Sequence, residues 1–223
     1  MHILTLVIGA DYRRKLEECL ESKRLYAEKH GYHYIQGDET FWDRLRPIAW
    51  SKLPFWLSVM NRLPDGELIW ISDADVLITN PDIRLEDVMT PLLPADKDLL
   101  MTHDACDHVN SGNILVRNGP WARDFFKRVN ERTDSIYHIW WENKAIVDIL
   151  QENPEDSQRT EITKKHTNFN AYLRGILNEP LWEPGMLLVH FAGVYDPLRI
   201  KELIDQIRTG KIPRIDFYNG KDV

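Results

Sequence analysis

Two aspartates, Asp73 and Asp75, stand one residue apart where the apolar run "LIWIS" ends and before "VLIT" begins. In a regular strand residues i and i+2 share a face, and a strand end can aim both carboxylates at one point beyond the sheet. Two carboxylates held that close repel each other and raise one pKa unless a cation sits between them. All-oxygen ligation suits a hard divalent ion, Mg²⁺ or Mn²⁺, which keeps positions open for water and substrate phosphates. The competing reading makes one aspartate a turn cap and leaves the other in solvent. The long apolar approach and exit weigh against that reading.

Strand-like and helix-like segments alternate around this pair, which predicts an α/β fold with a mostly parallel sheet covered by helices. His2 to Ile8 reads as a buried first strand. Asp11 to Gly31 reads as a helix, with Asp11 as its cap, Leu16, Cys19, Leu20, Ala27 and His30 at helical spacing, and Gly31 as its stop. "YHYIQ" is the second strand. Pro47 to Arg62 is a helix with Ile48, Phe55 and Val59 on one face, and Glu67 to Ser72 is the third strand. "DLLMTHD" and "SGNILVRN" read as short strands, and Pro120 to Arg132 and Trp140 to Glu152 as helices. "NPEDSQRTE" reads as a polar loop, Met186 to Gly193 as a late strand and Pro197 to Thr209 as a last helix. Ligands of open α/β sheets bind beyond the carboxyl ends of strands, where Asp73 and Asp75 lie.

The 223 residues suit one large domain, with residues 1–80 as one half and 81–223 as the other. Hydrophobic residues make up 43% and charged residues 28%, the balance of an ordinary soluble globular protein. A formal charge of -7 argues against broad contact with nucleic acid. No apolar run is long enough to span a bilayer, and "MHILTLVIGADY" lacks the marks of a signal peptide. The two cysteines, Cys19 and Cys106, make no disulfide framework, and Cys19 reads as a buried thiol. A reducing, cytosolic setting is the default expectation; nothing in the sequence sets an oligomeric state.

Two enzyme classes end a strand in D-x-D. "DADVL" resembles the motif of haloacid-dehalogenase-type phosphatases, in which the first aspartate is the nucleophile. That family carries it on the first strand and then needs Ser/Thr, Lys and an acidic pair in order. Here Asp104 and Asp107 follow Thr102 with no lysine between. A non-enzymatic alternative is a carbohydrate-binding module whose eight tryptophans stack on sugars.

"RPIAWSKLPFWLSVMNRLPDGELIWISDADVLITNP" resembles the nucleotide-sugar-binding half of the family of fungal galactosyl- and mannosyltransferases and plant xyloglucan xylosyltransferases. Its later landmarks appear in order as "NSGNILVRN", "WWENKAIVDIL" and "HFAG". One departure is "ENKAI", where that family carries Gln and an acidic residue after Glu.

The resemblance implies a glycosyltransferase A-type fold, a nucleoside diphosphate sugar as donor, a UDP-sugar in the first place, and a glycan hydroxyl as acceptor, with retention favoured. It implies a metal bound by Asp73, Asp75 and His190, and the imidazole favours Mn²⁺ over Mg²⁺. It places Lys52 at a phosphate, Asp73 also near sugar and ribose, and Ala74 between the two aspartates. Gly9, Ala10 and Tyr12 fall where the base is held; Asn110, Gly112 and Asn113 fall at sugar hydroxyls, and Gly193 closes "HFAG". Asp104 borders the donor sugar, Glu142 is the candidate catalytic carboxylate, and Trp140 and Trp141 offer a floor for an acceptor sugar. Relatives in fungi and plants are usually Golgi proteins with a membrane anchor. This chain is then either a soluble cytosolic or viral enzyme or the lumenal domain of a longer protein.

Overall fold

The computed structural model describes residues 1–104, 107–175 and 180–215. In chain order the strands are β1 (His2–Leu6), β2 (His33–Gly37), β3 (Leu68–Ser72), β4 (Val76–Ile78), β5 (Leu99–His103), β6 (Val109–Arg117), β7 (Thr160–Thr163) and β8 (Leu188–His190). The helices are α1 (Ala10–Lys15), α2 (Glu17–His30), α3 (Lys52–Met60), α4 (Leu85–Val88), α5 (Pro120–Glu131), α6 (Trp141–Glu152), α7 (Pro154–Gln158) and α8 (Pro197–Arg208). Six strands form one sheet in the order β2-β1-β3-β6-β5-β7. Only β6 runs against the other five, so the sheet is mostly parallel as expected. β4 and β8 pair antiparallel as a separate ribbon.

The sheet strands are apolar on both faces because helices cover both. Leu4, Ile69, Ile71, Ile114 and Val116 pack with α3, α5 and α6, while Ile3, Trp70, Leu100 and Leu115 pack with α2, α4 and the β4-β8 ribbon. A third cluster joins Leu16, Cys19, Leu20, Leu77 and Val189 to α8. Cys19 is buried as expected, and Cys106 lies outside the described residues.

Four local expectations need correction. The first helix breaks at Leu16, and Gly9, not Asp11, precedes its first turn; Asp11 instead pairs with Lys15 at 2.8 Å. Gly31 does close α2 in the left-handed region, at φ 70°. The second helix starts as a 3₁₀ turn over Ile48–Ser51, which leaves Ile48 51% exposed while Phe55 and Val59 are buried. "NPEDSQRTE" is ordered into α7 and the start of β7, because Asn153 caps the helix and Asp156 is buried against Arg128 (2.7 Å) and the Trp121 indole (2.9 Å). A charge pattern hides this, since an acid with a buried partner looks like any solvated one. The late strand is only Leu188–His190, and it pairs with "VLI" rather than with the main sheet.

Register places the site. β5 pairs Leu100 with Leu115 but Thr102 with Asn110, so the segment between leaves β5. It passes instead by the end of β3, where the Asp73 amide donates to the Gly112 carbonyl at 2.7 Å.

Candidate metal and donor site

Asp73 and Asp75 flank the turn between β3 and β4, and His190 ends β8 opposite Val76. Ligand atoms of the three residues lie within 4.8 Å of one another. His190 Nε2 is 3.4 Å from Asp75 Oδ1. The aspartate side chains keep partial access to solvent, 26% and 17%, so a ligand can reach them.

A chain of hydrogen bonds fixes the His190 tautomer. The Trp70 indole can only donate, and it lies 3.1 Å from Asn113 Oδ1. The Asn113 amide therefore donates onward to Asn170 Oδ1 at 2.9 Å, and His190 Nδ1, 2.8 Å from the same oxygen, must carry its proton there. Nε2 is left facing Asp75, the nitrogen that a metal would meet there. Asn170 Nδ2 also donates to Asn110 Oδ1, which accepts from the Gly112 amide at 2.8 Å.

Gly112 closes the back of this cradle. A Cβ there would lie 2.4 Å from His190 Cε1 and 2.9 Å from Asp73 Oδ2. Two carboxylates and one imidazole nitrogen, with this close backing, fit a divalent cation, and the mixed donor set suits Mn²⁺.

Lysines stand on either side. Lys52, in the first turn of α3, lies 3.1 Å from Asp73 Oδ1 and 2.6 Å from Glu142 Oε1. Burial disfavours its charge, but the Asp73 and Glu142 carboxylates outweigh that and hold the ammonium above its ordinary range. Burial raises the Asp73 carboxyl against the pull of Lys52, whereas His190 and Lys23 outweigh burial at Asp75 and lower it. Glu142, 1% exposed in the first turn of α6, also accepts from Ser111 Oγ at 3.0 Å. Its Oε2 is buried without a hydrogen-bond partner. Asn143 beside it accepts from the Ser111 amide at 2.7 Å, so "EN" and "NSGN" hold each other.

The remaining candidates have contacts of their own. The Tyr12 hydroxyl is pushed up first by burial and then by the Asp75 and Asp73 carboxylates, although 38% of the residue stays exposed. Ala10 lines a groove of about 620 Å³ with Arg13, Gln36 and Glu39, walled by α1, α2 and β2 and not by the three cluster residues. Ala74 is buried within the turn. Gly193, at φ 73°, lets Arg174 approach so closely that a Cβ would overlap its guanidinium. Asp104 turns the loop after β5, accepting from the His108 amide at 3.1 Å. Asn113 departs from expectation most, because it is fully buried and both ends of its amide are engaged by Trp70 and Asn170. Trp140 lies against His108 with ring centroids 3.9 Å apart, and Trp141 is exposed.

Two residues of this site escaped sequence reasoning. Lys23 of α2 is fully buried and donates to the carbonyls of Asp73 and Ala74. Its signal was the helical face itself, since position 23 falls between Cys19 and Ala27. Asn170 sits amid the buried residues Phe169, Ala171, Tyr172 and Leu173, where a polar side chain needs a partner.

Comparisons with known proteins bear on this geometry. The galactosyl transferase GMA12/MNN10 family matches residues 3–95, the segment holding Lys23, Lys52, Asp73 and Asp75. A probable alpha-1,2-galactosyltransferase of Schizosaccharomyces pombe, gmh2, is 25% identical over 232 residues, covering 84% of this chain and 63% of its own length. In sequence the chain resembles this galactosyl- and mannosyltransferase family. It spans 56 to 63% of the length of the first curated relatives it matches. A crystal structure of a glycosyltransferase involved in glycosylation of the major capsid of PBCV-1 superposes with a TM-score of 0.72 at 15% identity, covering 92% of this chain and 98% of that one. The galactosyltransferase LgtC, solved with donor and acceptor sugar analogs, gives 0.55 at 13% identity over 92% of this chain and 96% of its own. These superpositions establish the glycosyltransferase A-type fold expected from the sequence. Neither alternative class finds support. Among the eight tryptophans, Trp50, Trp56, Trp70 and Trp182 are buried in the core rather than offered to a glycan. No described helix is long and apolar enough to cross a membrane.

Proposed function

We propose that this chain is a metal-dependent glycosyltransferase. It moves a sugar from a nucleoside diphosphate sugar, a UDP-sugar in the first place, to a glycan hydroxyl with retention at the anomeric carbon. The observation that carries this reading is the Asp73, Asp75 and His190 cluster, with its ligand atoms within 4.8 Å and its imidazole held in the ligating tautomer. Mn²⁺, or Mg²⁺ in its place, would be held by these three residues and supply positive charge to the diphosphate leaving group.

The chain's own residues supply the rest. Lys52, already between Asp73 and Glu142, offers a second positive charge to a phosphate without crossing water. Ala10 and Tyr12 face the base, while Asn110, Gly112, Gly193 and Asp104 border the sugar, with Asn113 acting from behind. In this division residues 1–80 bring the nucleotide contacts and residues 81–223 the sugar and acceptor contacts. Glu142 bears on the stereochemistry. An inverting enzyme needs a carboxylate that the acceptor hydroxyl can reach. Glu142 is 1% exposed and already paired with an ammonium, which suits charge stabilisation within the site and favours retention. The relative named for an α linkage agrees with retention from an α-linked donor.

A thermal-shift panel tests the reading, with UDP, GDP, CDP and dTDP, each with Mn²⁺, Mg²⁺ or EDTA, on wild type and Asp75→Asn. A ligand at a hundredfold its dissociation constant adds about 2.7 kcal/mol, a shift of a few degrees. The expected result is a shift with UDP that needs metal and disappears in Asp75→Asn. No metal-dependent shift with any nucleotide overturns the proposal.

A further inference from the structure

We propose that Lys23 is a positioning residue for the metal site, its buried ammonium gripping the D-x-D turn from beneath so that both carboxylates leave it towards His190. The inference rests on the metal-dependent reading above and adds a residue that touches neither metal nor substrate. Lys23 rises from the middle of α2, between Cys19 and Ala27, with no exposed surface. Its Nζ reaches the main chain of both Asp73 and Ala74, donating to the first carbonyl and lying 3.4 Å from the second. These are the two peptide units that set the direction of Asp73 and Asp75.

The turn needs such a grip. Between β3 and β4 the chain leaves one sheet for another, so the carbonyls of Asp73 and Ala74 have no ladder partners on this side. Asp73 is held on its amide side by Gly112, and the Asp75 carbonyl accepts from the Phe191 amide at 3.1 Å. Lys23 completes this set from a third direction, so the turn is tied to β6, to β8 and to α2. Packing alone does not call for a lysine here. A methionine fills nearly the same volume without desolvating a charge, at the cost of leaving two carbonyls without a donor. An ammonium facing carbonyls beneath two carboxylates makes sense as a device that fixes where those carboxylates point.

The test compares Mn²⁺ affinity in the presence of UDP, read by electron paramagnetic resonance, for wild type, Lys23→Met and Lys23→Gln, with thermal unfolding in EDTA as the folding control. The expected result for Lys23→Met is a folded protein that melts a few degrees below wild type, because two carbonyls lose their donor, with Mn²⁺ binding at least tenfold weaker. Donor KM should rise by more than kcat falls. Lys23→Gln, which keeps one donor and loses the charge, serves if Lys23→Met does not fold, with the same weakening expected. Unchanged Mn²⁺ affinity in a folded variant overturns the role of Lys23 while leaving the metal site intact. Failure of both variants to fold assigns Lys23 to the core and also overturns it. Wild-type protein that binds no Mn²⁺ with UDP or the other nucleotides overturns the metal-site reading, and the Lys23 role falls with it.

Discussion

The Lys52 ammonium lies 2.6 Å from Glu142 Oε1 and 3.1 Å from Asp73 Oδ1, so one cation joins the D-x-D turn to the first turn of α6. Removing it in Lys52→Met leaves Glu142, 1% exposed, with only the Ser111 hydroxyl. Breaking a buried pair from one side costs about 3–5 kcal/mol. Lys52→Met should lose stability on that scale, and the double variant Lys52→Met/Glu142→Gln should recover part of it. Urea unfolding of the two single variants and the double gives the coupling. Additive losses would show that the pair contributes nothing beyond its separate contacts.

Asn170 gathers three donors and acceptors that the site depends on. In Asn170→Ala the His190 Nδ1–H and the Asn113 amide lose their shared acceptor in a fully buried place. The expected cost is about 1–3 kcal/mol of stability. Metal affinity should fall roughly 10- to 100-fold, because the imidazole is no longer held in one tautomer. Isothermal titration with Mn²⁺ and UDP separates the two effects. An unchanged affinity would show that His190 is oriented by other contacts.

Gly112→Ala introduces a methyl group into a space already filled by His190 Cε1 and Asp73 Oδ2. β6 has room to keep its pairing with β3, since the clash is with side-chain atoms at the rim of the sheet. The expected variant is folded, with a far-ultraviolet circular dichroism spectrum like wild type, but without a metal-dependent nucleotide shift. Retention of that shift would mean the ligands can retreat and still bind.

Acid sensitivity should include a contribution from His2. Burial, reinforced by the neighbouring N-terminal charge, lowers this imidazole below 6.5, against the opposing pull of Glu67 at 3.2 Å. The unfolded chain then takes up the proton first. The contribution is present in full above the unfolded value and is lost as pH falls from it through the lower folded one. His2→Gln should therefore flatten the drop in urea midpoint between about pH 7.5 and about pH 5. An equal drop in both proteins would remove His2 from the account.

What the sequence determined by itself was local and periodic. The buried run of β3, the Gly31 stop of α2, the Phe55 and Val59 face of α3 and the pair Asp73 and Asp75 at a strand end all follow from spacing and residue type within a few positions. A mostly parallel sheet followed from the alternation of elements, because parallel neighbours need a crossover between them, although β7 was not among the expected strands. Ile48 and "NPEDSQRTE" were misread because a 3₁₀ turn and a buried Asp156 depend on partners outside the local window.

Only the tertiary structure decided which polar groups meet. His190 reaches Asp75 because β8 pairs with β4 and not with the main sheet, and no local pattern specifies that pairing. Lys23 and Asn170 look like ordinary helix and loop residues in sequence, while the family resemblance singled out Lys52 and Glu142 but not as partners of each other. A buried charge or amide is stable only when its partner arrives from another part of the chain, so the identity of that partner is written in the packing and not in the spacing.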